Sequence, residues 1–227
     1  MDNNILGTSH RELGTSGTEL EKFLWIASFD IGKKNFSFYI EEFETDKLRT
    51  LTNLDKPHRF NVDGTCTPEF SKLLSNIYKN GKKILLENVD LTANCDPKAY
   101  LDPKTFYNMT ELLDTYEEYW SQCDIIIIEK QMSFGKKHNT MALKLGQHCW
   151  SYFSIKYPTP KIVEFPAYYK TQILGAIKDK KVTKGDKVTY KAVDKPARKK
   201  WCVNTALTIL EYRTDEETTT QITRDKK

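Results

Sequence analysis

The sequence predicts an α/β domain in which helices flank a mixed central sheet. Two observations lead to this fold class: short, almost wholly apolar runs typical of buried strands, and intervening segments whose apolar residues recur at helical spacing. The chain has 227 residues, of which 39% are hydrophobic, enough for one domain with a sizeable core. No apolar run approaches the roughly 18 residues of a membrane helix, so no membrane association is expected.

The first elements are predicted to be two strands joined by a tight turn. Residues 24–31 form a short apolar run that ends at Gly32, as expected of a strand buried on both faces. Apolar and polar residues alternate over residues 36–43, which predicts a strand with one buried face. The following residues 47–52 are interpreted as a third strand.

The middle of the chain predicts two helices and two further strands. The segment PEFSKLLSNIYKNG has Pro68 near its start, Gly81 at its end and apolar residues on one face, which indicates a helix. Residues 83–90 fit a strand, and residues 103–122 predict a second helix. Four consecutive isoleucines at positions 125–128 predict a central strand.

The last third of the chain predicts more helices and a basic arm. A long helix is expected over residues 139–155, a short strand at KIVEF, and a final helix over residues 198–213. Between them, residues 178–200 contain ten Lys or Arg and three Asp. This density of positive charge favours a phosphate-binding arm, although a solvated loop has the same composition.

The five cysteines do not form a recognisable framework. They are widely spaced, odd in number and without a CxxC pair, so neither a disulfide scaffold nor a zinc site is predicted. Buried free thiols inside a cell are the expectation.

Asp30 and Glu129 each end a strongly apolar predicted strand. If the two strands are parallel neighbours, both carboxylates emerge at one edge of the sheet, where α/β proteins build their sites. Two adjacent anions are stabilised by a cation between them, and oxygen ligands suit Mg²⁺ or Mn²⁺. The pair therefore indicates a catalytic metal site for phosphodiester hydrolysis. Taken singly, Asp30 is also compatible with a turn residue, and Glu129 with an ion pair to Lys130.

Three motifs, in this order, resemble the RuvC-type Holliday junction resolvases of poxviruses, related large DNA viruses and fungal mitochondria. They are FDIGKKNFSFYI, IIIIEKQ and RKKWCVNTALTIL, and the resemblance covers most of residues 24–213. It implies an RNase H-like fold in which Asp30 and Glu129 bind a pair of Mg²⁺ or Mn²⁺ ions. It also implies a homodimer that makes paired nicks in a four-way DNA junction, leaving 5′-phosphate and 3′-hydroxyl ends.

The resemblance and the local charge together suggest which residues contact DNA. These are Lys33, Lys34, Lys130, Gln131, Phe134, Lys136, Lys137, Arg198, Lys199 and Lys200. Phe134 would stack on bases or wedge them apart, or it is a core or hinge residue. Lys33 and Lys34 are equally compatible with exposed turn lysines.

The helix over residues 139–155 is a candidate dimer element. Its apolar stripe is either a dimer interface or part of the core, and its members are Met141, Leu145, Cys149 and Tyr152.

The domain organisation is predicted as a flexible leader over residues 1–22 and a nuclease domain over residues 23–227. An insertion is expected near residues 53–120. The resembled family completes its site with further acids at the start of its last helix, whereas this chain ends at TRDKK. The nuclease domain is therefore expected to be incomplete at this end, with weak metal binding and slow or absent cleavage.

Three other interpretations stay open. One is a catalytically impaired protein of the same fold that binds DNA junctions, and another is a generic RNase H or transposase-like nuclease. An ATP-binding protein of the actin and sugar-kinase fold would also begin with a strand and Asp-x-Gly, but a second such motif after an apolar strand is not found in this sequence. The expected location is the host cytoplasm if the protein is poxvirus-like, or otherwise a nucleus or mitochondrion.

Overall fold

The structure is a computed structural model that describes residues 22–131, 139–167, 169–182 and 188–224. Its centre is a five-stranded sheet, and a separate two-stranded sheet precedes the last helices. The strands are β1 (Phe23–Asp30), β2 (Phe36–Glu44), β3 (Lys82–Val89), β4 (Ile125–Lys130), β5 (Lys161–Pro166), β6 (Lys178–Val182) and β7 (Val188–Ala192). The α-helices are α1 (Thr45–Arg49), α2 (Pro68–Asn80), α3 (Lys104–Thr115), α4 (Glu117–Trp120), α5 (Thr140–Lys156), α6 (Tyr169–Ile173), α7 (Lys195–Tyr212) and α8 (Glu216–Arg224).

The central sheet is mixed and has the strand order β3-β2-β1-β4-β5. β2 pairs antiparallel with both β1 and β3, whereas β4 runs parallel to both β1 and β5. Parallel neighbours need long crossover connections. Here α3 and α4 precede β4, and α5 joins β4 to β5. The predicted α/β fold with a mixed sheet and flanking helices is confirmed.

The two faces of the sheet differ in chemistry. On one face, Phe29 and Phe38 pack with Trp120 of α4 and Phe153 of α5, at ring-centroid distances of 5.1 to 5.7 Å. Because strand side chains alternate, residues next to these phenylalanines, such as Ser28, point to the opposite face. The aromatic face is the core of the domain. The opposite face, called the polar face below, carries Ser28 and Ser37 beside apolar residues such as Ile127.

Two elements differ from the sequence prediction. The expected strand over residues 47–52 is wrong: α1 and a 3₁₀ turn over Thr50–Asn53 occupy this segment, and β3 takes the free edge of β2. The expected helix over residues 103–122 is interrupted at Tyr116. There the indole Nε1 of Trp120 donates to the Leu113 carbonyl at 2.7 Å, an acceptor that a continuous helix would use for its backbone.

The apolar stripe of α5 lies in the core of its own chain. Leu145 and Cys149 are fully buried, Tyr152 is 7% exposed, and Met141 packs against the same cluster. Leu145, Cys149 and Tyr152 are thus core residues of one chain, and Met141 is half-buried beside them. A dimer contact through this helix stays a prediction.

The C-terminal helices are fastened to the sheet by a buried ion pair. Arg213 follows α7, and its side chain is 7% exposed. It donates to Glu41 Oε2 at 2.9 Å, to the Tyr39 hydroxyl at 2.9 Å and to the Tyr78 carbonyl at 2.7 Å. An added Cβ at Gly81 would overlap this guanidinium, so the glycine leaves room for it. Through these bonds one arginine joins α7 to β2 and α2.

All five cysteines are free thiols. No described helix combines the length and the apolar character that crossing a membrane would require.

We predict that Arg213→Leu lowers the free energy of unfolding by about 3–5 kcal/mol, because it leaves the Glu41 carboxylate desolvated without its partner. Urea denaturation followed by circular dichroism measures the change. Arg49→Leu is a matched control, because its ion pair with Asp46 is 3.7 Å long and exposed, and it should cost less than ~1 kcal/mol. Equal losses in the two variants would contradict a special role for Arg213.

Candidate active site

The parallel register of β1 and β4 places two carboxylates side by side. Phe29 pairs with Ile128, so the next residue of each strand, Asp30 and Glu129, reaches the same edge of the sheet. Phe29 and Ile128 are buried in the core, with exposures of 3% and 1%. By strand alternation the two acids therefore lie on the opposite, polar face. The sequence prediction that these carboxylates meet is confirmed.

The two acids share a hydrogen bond, and the ionised partner is Glu129. Lys170 Nζ donates to Glu129 Oε1 at 2.8 Å, and Gln131 Nε2 donates to its Oε2 at 3.2 Å. Desolvation disfavours the charged form, but the hydrogen bonds from Asp30, Lys170 and Gln131 hold the pKa of Glu129 below its ordinary value. Desolvation, the hydrogen bond to Glu129 and the charge of Glu129 raise the pKa of Asp30 to about 6. Asp30 therefore holds the proton of the pair in weakly acidic solution.

The carboxylates line an open cleft of about 260 Å³ on the polar face of the sheet. Asp30, Glu129 and Lys170 supply its charge, and Ser28 and Ser37 add hydroxyl groups. Its other lining residues are Phe29, Phe38, Tyr39, Leu86, Ile127 and Phe165. The cleft thus places a few convergent polar groups on an apolar floor, which is the usual composition of a ligand site.

Lys170 is a member of this site that sequence reasoning missed. It lies on α6, a helix of five residues that follows β5. Because β5 runs parallel to β4, the segment after it begins at the same sheet edge as Glu129. Lys170 comes 41 positions after Glu129 and is not part of a recognisable motif, so the sequence offered no signal for it. The same contact excludes the simple pairing of Glu129 with Lys130, which instead lies 3.4 Å from Glu164.

The comparisons with known proteins identify relatives in invertebrate iridescent viruses. No protein-family model matches the chain. The chain is 32% identical to uncharacterized protein 170L of Invertebrate iridescent virus 6, over 92% of the chain and 85% of that protein. It is 34% identical to uncharacterized protein 97L of Invertebrate iridescent virus 3, over 83% of the chain and 86% of that protein. The chain belongs to this family of iridovirus proteins.

Solved structures of a poxvirus protein are similar to this iridovirus-family chain. Fowlpox virus resolvase in complex with substrate Holliday junction DNA has a TM-score of 0.44 and 18% identity, over 85% of this chain and 80% of that one. A structure of the Fowlpox virus Holliday junction resolvase has a TM-score of 0.33 and 18% identity, over 63% and 61% of the two chains. The α/β fold is established by the strand order and register of the chain itself.

The donor set of the iridovirus-family chain fits one Mg²⁺ or Mn²⁺ ion. Proteins usually hold Mg²⁺ with one or two carboxylates and leave the remaining positions to water and substrate phosphates, and Asp30 with Glu129 supplies such a pair. Within residues 22–131, 139–167, 169–182 and 188–224, no cluster of three or more His, Cys, Asp or Glu side chains is suited to a metal. Metal binding, by one ion or by two, therefore stays a prediction.

The other predicted DNA contacts are dispersed. Lys33 Nζ donates to the Tyr100 carbonyl at 3.1 Å, and Lys34 is exposed in the turn after Asp30. Arg198 donates to the Val193 carbonyl at 2.7 Å, where it holds the start of α7. The remaining predicted contacts are either exposed in the described part of the chain (Lys199 and Lys200) or outside it (Phe134, Lys136 and Lys137).

We predict that Asp30 titrates near pH 6, well above the 3.8 of an unperturbed aspartate. The folded protein then keeps a proton that the unfolded chain has lost between roughly pH 4 and 6. The resulting stabilisation is present below about pH 4 and is lost as the pH rises through about 6. Carboxyl ¹³C NMR titration measures the pKa directly. In Glu129→Gln it should fall towards the ordinary value, and added Mg²⁺ should lower it in the wild-type protein.

Asp30→Asn provides an independent test of the sign of this pH dependence of stability. Relative to wild type, this variant should gain stability above pH 6 and show no gain below pH 4, because it removes only the charge that the native pair disfavours. Titration of Asp30 near pH 4 in the wild-type protein would contradict a coupled pair.

Proposed function

We propose that this protein is a metal-dependent endodeoxyribonuclease that resolves four-way DNA junctions by paired nicking. The observation that carries the proposal is the hydrogen-bonded Asp30 and Glu129 pair, with the Lys170 ammonium 2.8 Å from Glu129, in a cleft open to solvent. Enzymes that hydrolyse phosphodiesters use carboxylates to bind metal ions and cationic groups to stabilise the developing negative charge.

The residues of the cleft would share the work of the reaction as follows. Asp30 and Glu129 would hold Mg²⁺ or Mn²⁺, and such an ion supplies Lewis acidity and activates water. Lys170 would donate to a phosphoryl oxygen and offset the charge that develops there. Because the Lys170 ammonium is on α6 and the acids are on the sheet, substrate that reaches all three would be oriented by two separate elements.

The choice of DNA junction as the substrate is supported by the sequence motifs. The turn after Asp30, the residues after Glu129 and the start of α7 resemble the motifs of junction resolvases, and each of them presents Lys or Arg near a helix or strand end. Paired nicking would require a homodimer. A host cytoplasmic location goes with the same proposal.

A second candidate function is that of a junction-binding protein with impaired cleavage. It is favoured by the size of the acidic cluster, because among the described residues only two carboxylates meet in the cleft. A generic RNase H or transposase-like nuclease would use the same groups on hybrid or linear DNA.

We predict that Asp30→Asn and Glu129→Gln each lower the cleavage rate of a synthetic four-way junction by roughly 10²–10³-fold. Lys170→Met should lower it by about 10²-fold, because the substrate charge is then no longer offset. The assay is a single-turnover measurement with Mg²⁺ or Mn²⁺ on labelled junction, linear duplex and RNA–DNA hybrid. Glu69→Gln and Lys72→Met, both exposed on α2, are matched controls and should retain wild-type rates.

The outcomes separate the candidates. Paired nicks that are specific to the junction and vanish in Asp30→Asn support the resolvase. Tight junction binding without cleavage in either metal supports the binding protein. Equal cleavage of hybrid or linear DNA supports the generic nuclease, and unchanged cleavage in Asp30→Asn rules out this site.

A further inference from the structure

The basic arm is folded into a regular antiparallel ribbon. β6 and β7 pair in the register Lys178 with Ala192 through Val182 with Val188. The Lys178 end of the ribbon is attached to the rest of the domain, because Lys178 N donates to the Asp63 carbonyl at 2.8 Å. Its side-chain methylenes lie so close to Gly64 that an added Cβ there would come within 2.8 Å of Lys178 Cε. The ribbon is therefore anchored at one end.

The exposed part of the ribbon combines positive charge with apolar side chains. Lys180, Lys181 and Lys191 are exposed, and none of them takes part in an ion pair with a residue in the described part of the chain. The paired Val182 and Val188 are 64% and 43% exposed. An isolated two-stranded ribbon is only marginally stable in water. The exposed lysines of this ribbon suit an anionic partner.

The position of the ribbon connects it to the candidate active site. β6 begins five residues after α6, the helix that carries Lys170, and β7 leads directly into α7. α6 and α7 contact each other, and α6 contributes Lys170 to the lining of the cleft. The two helices that flank the ribbon in the chain are therefore packed together, and one of them borders the cleft.

We propose that the β6–β7 ribbon enters the major groove of a B-form DNA arm, with Lys180, Lys181 and Lys191 on the flanking phosphates. This inference rests on the proposed function and specifies how the substrate is held. The major groove of B-DNA, about 12 Å wide, accepts a two-stranded ribbon, and antiparallel ribbons are an established way of entering it. The contacts go to phosphates, so they position the DNA without reading its sequence.

The test is the triple variant Lys180→Ala, Lys181→Ala, Lys191→Ala. Loss of about three phosphate contacts should lower the affinity for a DNA duplex or junction by roughly 10–100-fold near 0.1 M salt. The slope of log K against log salt should become shallower by about 2–3. Fluorescence anisotropy at several salt concentrations measures both. Because all three side chains are exposed, the melting temperature should stay unchanged, and the cleavage rate at saturating DNA should stay within about threefold.

The matched control removes three exposed lysines elsewhere, Lys47→Ala, Lys56→Ala and Lys72→Ala, and should keep the wild-type affinity and salt slope. Double-stranded RNA tests groove entry, because its major groove is deep and narrow. The ribbon variant should therefore lose little affinity for double-stranded RNA.

Each remaining outcome has one meaning. Wild-type affinity in the ribbon variant overturns the inference while leaving the proposed function intact. An equal loss on DNA and RNA duplexes overturns groove entry. Failure of the wild-type protein to bind any DNA removes the proposed function and this inference with it.

Discussion

The parallel pairing of β1 with β4 is the interaction on which the site depends. It aligns the last residues of two apolar strands, so that Asp30 and Glu129 meet on the polar face of the sheet. The apolar cores of both strands stabilise this pairing, and the repulsion between the acids acts against it. The Lys170 ammonium reduces that repulsion, and in weakly acidic solution so does the proton on Asp30. The site is thus an electrostatically unfavourable arrangement that the hydrophobic sheet holds in place.

The division of the sheet into two faces explains why the site is open. The aromatic cluster around Phe29 and Trp120 takes the helices α3, α4 and α5 onto one face. The other face is covered chiefly towards its far end, where Arg213 ties α7 to β2 and α2. The cleft lies on this same face, near the carboxyl ends of β1 and β4.

α6, the ribbon and α7 follow β5 in the chain and carry many of its Lys and Arg residues. α6 brings the Lys170 ammonium to Glu129, and the ribbon and α7 carry further Lys and Arg away from it. These cations are of two kinds. Lys170 is held by a specific ion pair at 2.8 Å, whereas Lys180 and Lys191 are exposed and suited to phosphates at varied positions.

The sequence alone determined the central strands and the two acids, because apolar runs such as residues 125–128 report burial directly and each run ends in a carboxylate. It also located the basic segment, since charge density is a local property. Only the tertiary structure decided that Lys170 joins Glu129, that Arg213 pairs with Glu41 across 172 positions, and that the α5 stripe is core. Such contacts depend on which strands become neighbours and which helix face is covered, and no local pattern records either choice. Likewise, the edge of β2 is occupied by β3 and not by residues 47–52.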